Sequence, residues 1–178
     1  LLHPTSLPGE AENGTLGTEA LRFLDFLAES GLHVWQMLPL GPTHADASPY
    51  HCLSVHALNP ALLSVERLVE EGWIGPGSAA APRADRLAAA FARLQSPAAA
   101  AERAGYEAFC ERQAHWLEDF AMFQALRARY RQRSWWLWPA ALRDRDSSAL
   151  VTAAVEMREQ LSLLRFEQFL TVRQFERL

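Results

Sequence analysis

Residues 18–42, TEALRFLDFLAESGLHVWQMLPLGP, decide the predicted fold. From Glu19 to Ser30 the apolar residues recur at helical spacing, which predicts an amphipathic helix. Gly31 follows at the position where a glycine commonly ends a helix. The next run, from His33 to Leu40, is apolar and is bounded by Gly41-Pro42, so it predicts a buried strand of the kind found in parallel sheets.

The residues before this stretch complete an α/β unit. Leu1 to Thr5 predict a short strand that Pro4 and Pro8 end, and a glycine-rich turn from Gly9 to Gly17 follows. Strand, helix and strand within ~40 residues form a βαβ unit, which is right-handed by default. We therefore expect residues 1–60 to begin a parallel α/β fold.

A long polar loop follows the second predicted strand, from Gly41 to Asn59. Loops at the carboxyl ends of strands are where α/β proteins place their binding sites, so this loop is a candidate site. The alternative is that a surface loop is simply polar. Its polar and aromatic residues are Thr43, His44, Asp46, Ser48, Tyr50, His51, Ser54, His56 and Asn59.

Residues 61–164 have a different character, being rich in Ala and helical in pattern. Between Tyr106 and Arg129 the apolar residues stand at helical spacing, which predicts an insertion of packed helices. Trp135, Trp136 and Trp138 end it. Such a cluster can stack on a sugar, but it is more often the core of a domain junction, and we favour the core.

Composition excludes few partners by itself. The 178 residues carry a net charge of −4, and all 17 basic residues are Arg. Guanidinium groups could contact nucleic acid, but these are interleaved with Asp and Glu, which favours a composition bias and no nucleic-acid partner. The two cysteines predict neither a disulfide framework nor a structural metal site. With no apolar run long enough for a membrane span, and no signal peptide in view, we expect a cytoplasmic protein without a membrane partner.

No complete catalytic motif is visible in the sequence. We find no nucleophile elbow, zinc-protease motif, P-loop or dinucleotide fingerprint. A retaining glycosidase needs two carboxyl groups ~5–5.5 Å apart, and the adjacent Glu118 and Asp119 would point to different faces of a helix. The residues alone therefore predict the start of a parallel α/β fold with a polar binding loop and a helical insertion.

Several strings, in order along the chain, resemble glycoside hydrolase family 77, the family of amylomaltases and disproportionating enzymes. Each string is weak alone, and together they are specific. The chain is identified on them as a suspected N-terminal fragment of a family member, and both its ends look like cuts through a longer protein. The strings are LHPTSLPG at 2–9, WQMLPLGPT at 35–43, SPY at 48–50, WLEDFA at 116–121 and WPAALR at 138–143, followed by Phe166, Gln168, Phe169 and Gln174.

The resemblance implies an α/β fold, the first part of a (β/α)8 barrel with a mostly helical insertion after the second strand. Residues 1–60 would be the first βαβ part with the substrate loop, 61–164 the insertion, and 165–178 a helix that returns to the barrel. It also implies retaining transfer of α-1,4-glucan segments between maltodextrins without any metal or organic cofactor. The catalytic carboxylates belong to later strands, so no catalytic residue is expected here and this chain alone should be inactive.

Substrate binding is the role that the resemblance gives to the loop. The candidates are Asp46, Ser48, Tyr50 and His51. Tyr50 can stack on a pyranose face and hydrogen-bond through its hydroxyl group, and Ser48 can offer a hydroxyl group. His51 departs from the family, which usually has Gln there. The alternatives are that Tyr50 anchors the loop structurally, and that the chain is a non-catalytic carbohydrate-binding or helical interaction module. The oligomeric state stays open.

Overall fold

Helices make up most of the regular structure in the computed structural model, which describes residues 1–9 and 13–178. The part of the chain that it describes contains seven α-helices and five short 3-10 turns. The helices are α1 (Thr18–Glu29), α2 (Val65–Glu70), α3 (Arg83–Leu94), α4 (Ala100–Arg129), α5 (Ala140–Arg143), α6 (Ser147–Glu156) and α7 (Arg158–Phe175). The 3-10 turns are Pro4–Ser6, Pro60–Leu62, Pro76–Ser78, Pro97–Ala99 and Trp135–Leu137.

The helix predicted from the apolar spacing after Thr18 is confirmed as α1. It ends at the predicted glycine, because Gly31 adopts a φ of 70°, a conformation that other residues avoid. The amide of Gly31 donates to the carbonyl of Ala28, and that of Leu32 to the carbonyl of Leu27. This paired termination turns the chain sharply out of the helix.

Neither predicted strand forms a regular strand among the described residues. Pro4–Ser6 are a 3-10 turn, because Pro4 has no N–H to give to a ladder and the ring of His3 caps the turn at the amide of Thr5. Residues 33–40 form no regular secondary structure, and a single backbone hydrogen bond, from Leu2 to Gln36, joins the two segments. A parallel strand needs a ladder of such bonds, usually on both sides. The predicted burial is also wrong, since Val34 is 80% exposed.

The glycine-rich turn is described only in part, since residues 10–12 lie outside the described residues. Within the described part, Gly14 donates its amide to the carbonyl of Thr5. It packs against the 3-10 turn so closely that a Cβ added to it would lie 2.6 Å from the carbonyl oxygen of Leu7. The close approach explains why a residue without a side chain stands there.

Helices α4 and α7 pack against each other and supply half of the residues of the main core cluster. Trp73 and Phe166 are among the largest fully buried side chains. Phe166 stands at the centre of an aromatic cluster with ring centroids 5.4–6.2 Å apart, the range of favourable ring pairs. Its partners there are Trp73, Phe91, Tyr106 and Phe169.

Buried polar groups fasten α7 to the first third of the chain. Arg67 donates from Nη1 to the carbonyls of Leu16 and Gln174, both at 3.2 Å. The side-chain amide of Gln174 bonds to the backbone of Ser64, and that of Gln168 to the backbone of Leu58. Buried polar atoms with partners fix one arrangement of the chain, because leaving either partner unpaired is costly.

Candidate functional site

A cavity of about 840 Å³ opens beside the ends of the two predicted strands. Residues 38–41 form one wall, and the 3-10 turn Pro4–Ser6 contributes Thr5 and Ser6 to another. Thr43, Ala47 and Pro49 close it from the predicted site loop. The polar groups that face it are hydroxyl, amide, imidazole and guanidinium groups, supplied by His3, Thr5, Ser6, Asn13, Asn59 and Arg83.

Asp46 determines the local shape of the predicted site loop, residues 41–59. One carboxylate oxygen accepts from the amide of Ser48 at 3.2 Å, and the other lies 3.1 Å from Nδ1 of His51. The amide of His51 in turn donates to the carbonyl of Ser48. The hydrogen bond from His51, and then that from the Ser48 amide, holds the pKa of Asp46 below its ordinary value. Asp46 is therefore an ionised acceptor at neutral pH.

The four predicted site residues lie on one turn of the chain, and three of them share its hydrogen bonds. Asp46, Ser48 and His51 share the hydrogen bonds of one turn. Tyr50 is 72% exposed on the same turn. None of the four lines the cavity, although Ala47 and Pro49, the chain neighbours of Asp46, Ser48 and Tyr50, do. Their role in binding stays a prediction.

The pattern of the sequence did not single out several of the residues that line the cavity. His3, Thr5 and Ser6 stood in the opening string but not among the candidates. No sequence pattern marks Arg83 as a cavity residue. It begins α3 in the predicted insertion, and only the fold brings it to the cavity. Its guanidinium group donates to the carbonyl of Pro60 at 2.7 Å and to Glu167 at 2.8 Å, which holds it in place.

His3 presents a neutral ring to the cavity. Its Nδ1 accepts a hydrogen bond from the amide of Thr5 at 3.3 Å, so the proton of the neutral ring resides on Nε2. Burial lowers the pKa of His3, and a hydrogen bond with the backbone of Pro39 opposes the shift.

The tryptophan cluster divides between core and surface. Trp138 is buried and donates from Nε1 to the carbonyl of Arg133 at 3.2 Å, so the core interpretation is confirmed for it. For Trp135 and Trp136 that interpretation is wrong, since both rings are at least half exposed. They lie in a 3-10 turn that Pro139 and α5 follow, and the turn directs them away from the core.

The described residues of the cavity wall lack the carboxyl groups that glycosyl transfer needs. None of the described residues that line it is Asp or Glu. A retaining mechanism needs one carboxylate as nucleophile and a second carboxyl group as acid and base. The described residues also contain no group of three or more His, Cys, Asp or Glu placed to hold a metal ion. None of the described helices combines the length and the hydropathy that crossing a bilayer requires.

Comparisons with known proteins agree over almost the whole chain. The profile of glycoside hydrolase family 77, described as 4-alpha-glucanotransferase, matches residues 2–178. A 4-alpha-glucanotransferase of Thermus thermophilus is 41% identical over 98% of this chain, and one of Synechocystis is 36% identical over 99%. The chain spans 37% and 38% of their respective lengths.

A solved structure agrees with these sequences. An amylomaltase from Streptococcus agalactiae in complex with acarbose superposes with a TM-score of 0.89 at 27% identity. The superposition covers 99% of this chain and 39% of that protein. The family profile matches this chain from residue 2 to residue 178, so the chain belongs to glycoside hydrolase family 77, the 4-alpha-glucanotransferase family.

Proposed function

We propose that the chain is the first part of a 4-alpha-glucanotransferase that moves α-1,4-glucan segments between maltodextrins. The observation that carries the proposal is the family match over residues 2–178. The cavity supports it, since its hydroxyl and amide groups are uncharged partners for sugar hydroxyl groups. α-1,4-Glucans, such as maltodextrins and breakdown products of starch or glycogen, are the proposed substrates. A cytoplasmic location is part of the proposal and suits the two free thiols, Cys52 and Cys110.

We propose that residues 1–60 are the first βαβ part of a (β/α)8 barrel, 61–164 a helical insertion and 165–178 a returning helix. The bond from the amide of Leu2 to the carbonyl of Gln36 supports this, because it joins the two segments that the barrel would place side by side. A second bond, from the indole of Trp35 to the carbonyl of Leu2 at 2.8 Å, acts in the same sense. Neighbouring strands of a complete barrel would cover Val34.

The proposed reaction is a double displacement with retention. A carboxylate bonds to the anomeric carbon as the glycosidic bond breaks, and a second carboxyl group protonates the departing glucan oxygen. A hydroxyl group of the acceptor glucan then gives its proton to that second group and attacks the anomeric carbon, releasing the first carboxylate. We assign neither carboxylate to residues 1–178 and assign them binding instead, with Asp46, Ser48, Tyr50 and His51 on the loop whose Thr43, Ala47 and Pro49 line the cavity.

The first prediction separates the enzyme from its first part. With maltotriose, a protein that continues beyond Leu178 is expected to form glucose and longer maltodextrins, whereas residues 1–178 alone are expected to form neither. The reason is that no described residue lining the cavity is a carboxylate. Chromatography of the products over time measures both. Products from residues 1–178 would refute the assignment of the carboxylates, and a longer protein without transfer would leave a non-catalytic carbohydrate-binding or interaction module.

The second prediction concerns Tyr50 in the longer protein. Tyr50→Ala is expected to lower kcat/KM for maltodextrins by roughly tenfold to a hundredfold, since it removes both a stacking face and a hydroxyl group. Tyr50→Phe should lose only a part of this. The melting temperature should stay the same, because the side chain is 72% exposed. Val55→Ala is the matched control, a 93% exposed residue of the same loop that should change nothing. Kinetics of Tyr50→Ala equal to those of Val55→Ala would remove Tyr50 from the site.

A further inference from the structure

The site loop is closed at its base by its own backbone. The amide of Leu53 donates to the carbonyl of Pro42, and that of Asn59 to the carbonyl of Leu40, both at 2.7 Å. An isolated antiparallel bridge joins Thr43 and Cys52. These bonds hold the loop together, but they do not determine where the loop sits relative to the helices.

Gln168 of α7 supplies a hydrogen-bonded connection, in addition to the stacking of His56 on Trp116 of α4. Its side chain is fully buried, its Oε1 accepts from the amide of Leu58 at 3.0 Å, and its Nε2 donates to the carbonyl of Leu58 at 2.9 Å. One side-chain amide thus satisfies both backbone groups of one residue. Because a donor and an acceptor must each find their partner, Leu58 is held in position and in orientation.

Leu58 is adjacent to the wall of the cavity. Its neighbour Asn59 lines the cavity and also bonds to Leu40, which lines it too. A shift of Leu58 would therefore move two parts of the wall at once. Through Arg83, which bonds to both Glu167 and Pro60, the same turn of α7 also holds the residue after Asn59.

Gln174 provides the comparison that isolates this role. Its buried amide makes the same pair of bonds to the backbone of Ser64, at 2.8 and 3.0 Å. Ser64 belongs to the helical core, where its hydroxyl group accepts from the amide of Arg67 at the start of α2. The two glutamines thus make equivalent bonds, one to the end of the site loop and one to the cap of a helix.

We propose that Gln168 is a positioning residue for glucan binding, which holds the end of the site loop so that the cavity wall keeps its shape. The inference rests on the proposed function, because the ligand it concerns is the glucan. Gln168 touches no substrate in this role and acts through Leu58 and Asn59. Gln174, by contrast, is expected to contribute to stability alone.

The test compares Gln168→Met with Gln174→Met in the longer protein. Both variants remove two hydrogen bonds at nearly constant side-chain volume, so similar decreases in melting temperature are expected. Gln168→Met should also raise KM for maltotriose about tenfold, because displacement of a binding wall by about 1 Å has large effects. Gln174→Met should change KM less than about twofold, since the wall does not depend on it.

Hydrogen exchange of the peptide that covers residues 41–59 gives a readout independent of activity. Exchange should become faster in Gln168→Met and stay at the wild-type rate in Gln174→Met. Unchanged loop exchange in Gln168→Met would overturn the proposal, and so would faster exchange with an unchanged KM. Equal increases of KM in both variants would also overturn it, because stability alone would then explain them.

If Gln168→Met does not fold, Gln168→Glu tests whether Gln168 positions the loop. A protonated Glu can accept from the amide and donate to the carbonyl of Leu58, as the glutamine does, whereas an ionised Glu cannot donate. The ratio of its KM to that of the wild type should fall as the pH is lowered. A ratio that does not vary with pH would overturn the proposal. Failure of the proposed function would appear separately, as a wild type without glucan transfer.

Discussion

Phe166→Ala is expected to lower the free energy of unfolding by about 3–5 kcal/mol, the usual cost of emptying a fully buried aromatic site. Phe166 has no exposed surface and contacts four other aromatic rings between α3, α4 and α7. Those rings belong to different segments and cannot all move inward, so a cavity should remain. Urea denaturation of the longer protein, followed by tryptophan fluorescence, measures the change, and Trp73 reports it directly from 5.5 Å away.

Phe175→Ala is the control for this variant on the same helix. Phe175 is the last residue of α7 and is 38% exposed, so its truncation should cost about 1 kcal/mol or less. Similar losses for the two variants would mean that the aromatic cluster is not the stabilising centre of the helical part. A loss below about 1 kcal/mol for Phe166→Ala would contradict the packing around it.

Gly14→Ala should destabilise the protein by about 2–3 kcal/mol, the upper part of the range for overpacked sites. The added Cβ would meet the carbonyl oxygens of Pro4 and Leu7, which are backbone atoms and cannot rotate away as a side chain could. The turn formed by residues 4–6, which lines the cavity, would have to move. We therefore expect weaker maltodextrin binding as well as a lower melting temperature.

The same substitution at Gly105 should have the opposite sign. Gly105 lies inside α4, and a Cβ added there would meet nothing within 4 Å. Ala is favoured over Gly in a helix by about 0.5–1 kcal/mol, so Gly105→Ala should raise the melting temperature. Thermal unfolding of the two variants side by side checks both expectations. Destabilisation of similar size by both would show that the clash at Gly14 is not the cause.

Local patterns predicted what local forces determine. The helix α1 and its end at Gly31 follow from apolar spacing and from the freedom of glycine to adopt a positive φ. The helical character of residues 61–164 follows in the same way. The predicted strands at Leu1–Thr5 and His33–Leu40 depend on neighbours, and a single bond between them does not make a ladder.

In the candidate site, too, contacts between residues close in the sequence could be predicted, whereas contacts between distant residues could not. The sequence predicts the polar loop, and the hydrogen bonds of Asp46 within it are local, because they join residues close in the sequence. Arg83 and Gln168 reach the site from distant helices, and no local pattern reports which backbone group a buried side chain will find. Trp135 and Trp136 were placed in the core on the strength of residue type, but the turn that carries them decides their exposure.

The two glutamine bonds have a consequence for biosynthesis. Leu58 and Ser64 each bond to a glutamine that lies 110 positions later in the chain. At about 5–20 residues per second, a ribosome takes roughly 5–20 s to add that length. During that time α4 can form from its own sequence and offer Trp116 to His56 of the loop, while the hydrogen bonds from Gln168 to Leu58 are still missing. The cavity wall is therefore among the last parts of this segment to reach its final shape, only after the ribosome has delivered α7.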